Sequence, residues 1–265
     1  MSHLVKAEFR RLLSTRMWAA LPLAALLLGG GLMGAMALIG PENFDPPMPG
    51  LHTEAGVRSI LGILGYTALV PAAAGTLAVT SEYRHRTAAV TFLFAPRRWQ
   101  VLAAKLATYG VAGLAYGLIL AGSAAVAVFA AAAVRDVPLG LPAGTVLGLL
   151  ARIGLAMVVY TLIGIGVGAL LRNQVVALCV VIGYLYMGEA LLMMIPGVNH
   201  LYPILPGGAT AALTDFTYLA DAMSQRLGST PLQLLPPAAG ALLLTAYALA
   251  AALLAVIIPM RRDIT

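Results

Sequence analysis

Two ionisable side chains stand alone inside long apolar stretches: Arg152 within residues 145–171 and Glu189 within 175–195. A charge held at membrane depth is costly and marks a functional position by default. Arg152 lies about seven residues from one end of its run and Glu189 about six from the end of its own. At about 1.5 Å per residue, both sit roughly 10 Å deep from the same side. Three readings are open: an ion pair locking two helices, a polar point in a substrate cavity or outer gate, or two side chains that each snorkel to the interface. A second constellation is SEYRHRTAAVTFLFAPRRWQVLAAK at 81–105, the densest cluster of charge in the chain. Glu82, Arg84, Arg86, Arg97, Arg98 and Lys105 there surround an apolar island, AAVTFLFA.

Other chemistry is missing from the sequence. There is no GxxxxGK[ST] phosphate loop, no HExxH, no GxSxG and no pair of carboxylates within one apolar run. The chain is therefore not expected to be an enzyme. The single cysteine, Cys179, excludes an intrachain disulfide. The four histidines, His3, His52, His85 and His200, fall outside the apolar runs, so axial haem ligation within spans is not expected.

The elements that must position these residues follow from composition. Of 265 residues, 61% are hydrophobic and 10% charged, against about 25% charged in soluble domains. Apolar runs of about 20 residues cross a ~30 Å hydrocarbon core. Six occur, at about 17–39, 59–80, 106–134, 145–171, 175–195 and 236–260. The expected fold is an all-α polytopic membrane protein. Residues 17–260 form a single six-span domain, preceded by a surface helix at 1–16 and followed by a short tail at 261–265. The first run, 23 residues long, exceeds the ~7–15 of a signal-peptide core.

Orientation follows the basic residues. With the N-terminus inside, twelve Lys and Arg lie on cytoplasmic segments and only Arg58, Arg135 and Arg226 outside. Both termini and the 81–105 loop are then cytoplasmic. The net charge of +6 reads as topology rather than nucleic-acid binding. Residues 196–235, broken by prolines, become the longest outer segment. Its piece at 209–227 reads as an outer-surface helix or as part of a re-entrant pair.

The N-terminal segment HLVKAEFRRLLSTR is amphipathic. Val5, Phe9, Leu12 and Leu13 share one face, Arg10 and Arg11 the other, with Lys6 at the edge. Such a helix lies on anionic lipid headgroups, or serves simply as the basic flank that fixes topology. Gly30/Gly34 and Gly164/Gly168 have GxxxG spacing, suited to internal helix packing or to a dimer seam. In the 88–95 island, helical spacing puts Val90, Leu93 and Phe94 on one face, and Pro96 stops the helix. That face either lies flat on the membrane or fills a groove on a cytoplasmic partner with a charged rim.

The 81–105 loop resembles the first cytoplasmic loop of ABC-2-type ABC transporter permeases at Ser81, Glu82, Tyr83, Arg84, Thr87, Pro96, Arg97 and Lys105. Arg86 stands where that family often has glycine. KAEFRRLLSTRMW, GALLRN at 168–173 and YPILPGGATAAL at 202–213 are supporting similarities. The resemblance implies a six-helix, type V exporter permease with an N-terminal elbow helix and a coupling helix over about 84–95. It implies a dimer with a second permease chain, and docking to a separate ATP-binding cassette subunit that holds ATP and Mg. The implied contact residues are Glu82, Tyr83, Arg84, Arg86, Thr87, Val90, Leu93, Phe94, Pro96 and Arg97. The implied setting is a bacterial plasma membrane, and the implied cargo a drug, antibiotic, lipid or other amphiphile. An ion-gradient-driven transporter and a non-transporting scaffold or immunity component are the alternatives.

Overall fold

The computed structural model describes residues 2–44, 47–85, 87, 98–195, 197–218, 221 and 233–257. These residues form helices and no strand. We number eight helices. α1 is Ser2–Ser14 and α2 is Met17–Ile39. α3 is Glu54–Arg84, α4 Arg98–Val134 and α5 Ala143–Leu171. α6 covers 174–193, α7 is Pro206–Thr214 and α8 is Pro237–Ile257. Five of them, α2, α3, α4, α5 and α8, are long and apolar enough to cross a membrane. The chain is an all-α multi-pass membrane protein.

The expected span at 175–195 takes a different form. α6 begins as the apolar helix Gln174–Gly183, loosens into a π-helical turn at Tyr184–Gly188 and resumes at Glu189–Met193. A π turn widens the backbone by one residue, and such turns recur at functional sites. α3 is also irregular, with a 3₁₀ stretch at Leu64–Ala68. Pro71, three residues further on, supplies the reason. It has no N–H for the Thr67 carbonyl, and its ring crowds that carbonyl. The Thr67 hydroxyl bonds back to the Leu64 carbonyl at 2.7 Å within the turn.

α5 is the hub, packed against α3, α4 and α8. In the most apolar stretch of α3 and of α5, 61% of residues are buried, against 22% in α2 and 17% in α8. The outer pair presents leucines outward, among them Leu23, Leu27, Leu242 and Leu249, as suits a lipid-facing surface. Lipid is as apolar as leucine, so contacts within the bundle depend on close backbone approach. A Cβ at Gly164 would strike the Ala72 carbonyl, and one at Gly75 the Thr161 carbonyl. The gap is sealed by Thr76, whose hydroxyl donates to Ala72 O at 2.9 Å and to Gly164 O at 3.1 Å. Gly164 and Gly168 thus serve the α3–α5 contact within the chain. Gly30 and Gly34 face Ser123 and Ala127 of α4 at 3.5 Å, ordinary van der Waals contact.

At the end of the bundle remote from the 85–98 loop, ion pairs staple the connections. Arg135 pairs with Glu42 and donates to Ala37 O at 3.1 Å. The Glu42 carboxyl is held below the ordinary carboxylate range by its own backbone amide and by Arg135. This pairing is complete above the unfolded carboxylate value and fades as pH falls through the folded one. Arg58 bridges Glu54 at 2.8 Å and Asp215. The helix expected over 209–227 is interrupted at Asp215, and 219, 220 and 222–227 lie outside the described residues. α7 ends at Thr214, with Asp215 in left-handed conformation at φ 58°, and Gly208–Thr214 are all buried.

The α3–α5 contact yields a prediction. Gly164→Leu places a side chain against backbone that has no room to yield. It should lower stability by about 1–3 kcal/mol or more and reduce the monodisperse yield in detergent. Gly31→Leu, where nothing lies within 4 Å of the added Cβ, should behave as the parent. Equal melting temperatures for the two variants would show that the helices do not meet as described.

Candidate functional site

Two constellations stand out, one at each end of the bundle. The first joins α1, the last turn of α3 and the start of α4. Lys105 Nζ donates to Glu8 Oε2 at 2.9 Å, to Glu82 Oε1 at 2.5 Å and to the Ala78 carbonyl at 3.4 Å. Arg11 also reaches Glu82, and lies 3.6 Å from Glu8. Lys105, Glu82 and Glu8 are 3%, 4% and 6% exposed. Two carboxylates and one ammonium are thus buried, with the part-exposed Arg11 against them, and the four charges cancel. A buried charge costs several kcal/mol unless well paired, and here each buried group has more than one partner.

This arrangement alters the reading of α1. Leu12 is buried and Val5 and Phe9 are half-buried, but Leu13 is 60% exposed and does not share their contact. The inward face is built on Glu8 and Leu12, one turn apart. Arg11 turns toward Glu82 rather than toward lipid headgroups, while Lys6 and Arg10 remain exposed. α1 is therefore bonded to the bundle, not merely laid beside it.

Glu82 holds the beginning of the 85–98 loop as well. Thr87 N donates to the Glu82 carbonyl at 2.9 Å, and His85 N to the Ser81 carbonyl at 2.9 Å, closing α3. Half-buried Tyr83 lies under the Arg172 guanidinium, 5.7 Å from ring centroid to Cζ. Arg84 reaches Gln174 at 3.4 Å. Arg172 and Gln174 flank the tight turn from α5 to α6. In that turn Arg172 is left-handed at φ 54° and Asn173 caps α6 through Val175 N and Val176 N at 3.0 and 3.1 Å. Thus the first residues of the loop are tied to α1, α4, α5 and α6. Arg86, Val90, Leu93, Phe94, Pro96 and Arg97 lie outside the described residues.

The second constellation surrounds Glu189. It does not pair with Arg152. Arg152 lies on the exposed face of α5 beside Ala151 and Leu155, whereas Glu189 is 5% exposed and faces α7. Equal depth along two helices says nothing about rotation around them, and here the rotations disagree. Glu189 Oε1 accepts a hydrogen bond from Gly207 N at 2.9 Å, so the carboxylate caps α7 from another helix. The free N–H groups and the positive end of the α7 dipole favour an anion there. A Cβ at Gly207 would take the position of the carboxylate, so a larger residue there would have to displace Glu189.

A cavity of about 220 Å³ opens beside this contact. Its walls are the two irregular helix segments and α7: Tyr66 from the 3₁₀ turn, Leu185 and Glu189 from α6, Thr210 from α7. Tyr160 of α5 closes the floor, its hydroxyl 2.8 Å from Thr210 Oγ1 and donating to Pro206 O at 3.1 Å. Phe216 stands edge-on to Tyr66 at 6.3 Å. Glu189 Oε2 is buried without a hydrogen-bond partner among the described residues.

No family model and no curated protein matches the sequence.

Sequence reasoning gave Glu8 no role and did not find the cavity. The signal for Glu8 was available: an acid one turn before Leu12, on the apolar face of α1. The cavity had no comparable signal, because α7 brings Gly207 to Glu189 across 18 residues.

The charge network predicts a particular pattern of loss. Lys105→Met leaves two buried carboxylates facing one arginine, and should cost on the order of 3–5 kcal/mol. Adding Glu8→Gln removes one surplus charge and should restore part of that loss in a double-mutant cycle. Strictly additive losses in thermal melts would show that the two groups do not interact.

Proposed function

We propose that this chain is the permease subunit of an ATP-driven exporter of the ABC-2 kind. It forms the translocation path for a drug, antibiotic, lipid or other amphiphile across a bacterial plasma membrane. α6 counts as the sixth span, since its 20 residues reach about 30 Å. Both termini and the 85–98 loop face the cytoplasm, and α1 is the elbow helix at the membrane surface. A separate ATP-binding cassette subunit, carrying ATP and Mg, docks on the loop. A second permease chain completes the path. Nucleic acid has no part in it.

The observation that carries this reading is the buried network of Glu8, Arg11, Glu82 and Lys105. A loop that only connects two spans needs no such anchorage. A loop that must transmit force does: a push on it passes through Glu82 to the start of α4 and to α1, and through Arg84 to the α5–α6 turn. The chain has no phosphate loop of its own, so the force comes from another chain.

One observation favours a second reading, an ion-gradient-driven transporter: the buried carboxylate of Glu189, which forms no ion pair among the described residues. Copurification separates the two. In mild detergent, an untagged ATPase expressed alongside should come down with the chain. Transport that collapses with the proton gradient, with no ATPase retained, would replace the first reading by the second.

The sharper prediction concerns the apolar island. Phe94→Asp should abolish retention of the ATPase, or its stimulation of transport, while membrane insertion stays normal. Transport at the parent rate would reduce the loop to a connector.

A further inference from the structure

The cavity beside Glu189 is too small for a whole drug. Pockets for drug-sized ligands begin at about 300 Å³, and this one holds about 220 Å³. It is nonetheless large for a packed interior, since a single water occupies about 30 Å³. Its chemistry is specific. One wall carries a carboxylate, of which Oε1 is bound to Gly207 N and Oε2 makes no well-formed hydrogen bond among the described residues, although the Tyr184 hydroxyl and the Gly208 N–H lie near the carboxyl. Four aromatic rings complete the lining: Tyr66, Tyr160, Tyr202 and Phe216. The Tyr160 hydroxyl is already engaged with Thr210 and Pro206. Among the described residues no lysine or arginine lines the cavity, and the α7 N-terminus is turned to Oε1 through Gly207 N.

An unpartnered carboxylate oxygen among aromatic rings is complementary to a compact organic cation. The carboxylate supplies charge, and ring faces attract a desolvated ammonium by their quadrupoles. A neutral apolar group would leave Oε2 unsatisfied, and an anion would meet it directly. A hydrated metal ion would want several oxygen ligands, whereas among the described residues Glu189 is the one carboxylate in the lining.

We infer that this cavity binds the ammonium headgroup of a cationic amphiphile, with the amine or trimethylammonium against Glu189 Oε2. Calling that amphiphile the cargo rests on the permease reading. The binding itself is measured without the ATPase, so the two can fail separately.

The test uses the full chain in lipid nanodiscs, with choline and its neutral isostere 3,3-dimethylbutanol as probes. Saturation-transfer NMR of the probe methyl groups gives both affinities. Choline should bind at least about tenfold more tightly than the isostere, the scale of one charge-assisted contact. Glu189→Gln should erase that ratio while leaving the weak binding of the isostere in place. A second variant acts from another element: Gly65→Leu adds volume at the α3 wall, where an added Cβ lies 3.6 Å from Thr210 Cγ2, and should abolish both signals. A choline-to-isostere ratio near one in the parent chain would overturn the inference and leave the cavity a solvent-filled void. So would a tenfold ratio that survives Glu189→Gln, or one undiminished by Gly65→Leu. Should Glu189→Gln fail to fold, the parent ratio and Gly65→Leu decide.

Discussion

Moving a carboxylate or an ammonium out of water costs several kcal/mol even after the protein relaxes. The chain does this for Glu8, Glu82 and Lys105 at one point, with Arg11 half-covered beside them. Geometry makes it tolerable. Lys105 has three N–H donors and finds three acceptors, two carboxylates and the Ala78 carbonyl. The four charges cancel. The energetic consequence is specificity of assembly more than net stability, since an apolar cluster of the same volume would hold as well. Only one rotation of α1, one end point of α3 and one register of α4 satisfy all the groups. The rest of the loop end depends on that choice, including the closure of α3 by Thr87.

The interior of the bundle rests on a different principle. Between α3 and α5 the contacts are backbone to backbone, through Ala72, Gly75 and Gly164, with Thr76 bridging. Such a seam is strong in dispersion and rigid in register, because no side chain can adjust. α3 and α5 therefore move together or not at all. The irregular or short segments are elsewhere: the 3₁₀ turn before Pro71, the π turn before Glu189, and the short helix α7. All three border the cavity. Counted back from Glu82, the first irregular turn of α3 is the one that carries Tyr66.

Much of this was legible in the chain. Apolar runs, their lengths and the flanking basic residues located the five long helices, four of them to within about five residues; α4 starts at Arg98, ahead of the expected 106, and so carries Lys105. Val5, Phe9 and Leu12 marked the inner side of α1, and GIGVG marked a close crossing. What escaped was rotational or non-local. Arg152 and Glu189 match in depth, but a linear count carries no azimuth, and one faces outward while the other faces α7. Leu13 fell on the apolar side of a helical wheel only because the wheel was centred on hydrophobicity. The true centre is Glu8 with Leu12, since a fully paired acid can be buried. α6 reads as an unbroken span, because nothing in YLYMG forbids an α-helix. The π turn there immediately precedes Glu189, the residue that meets Gly207.

That contact links the two irregularities that border the cavity. A regular α6 would rotate Glu189 away from α7, and the Gly207 amide would lose its acceptor. A side chain at Gly207 would have to displace the carboxylate. The cavity is what remains when α3 bends at Pro71 and α6 widens at Tyr184–Gly188 beside that one hydrogen bond. Filling it with a leucine from α3 would gain dispersion energy, and the space at Gly65 would admit one. The chain instead keeps a cavity against an unpartnered carboxylate oxygen, surrounded by rings. Stability alone favours neither the cavity nor the lone oxygen, so the pair is best understood as a pocket shaped for a cationic guest.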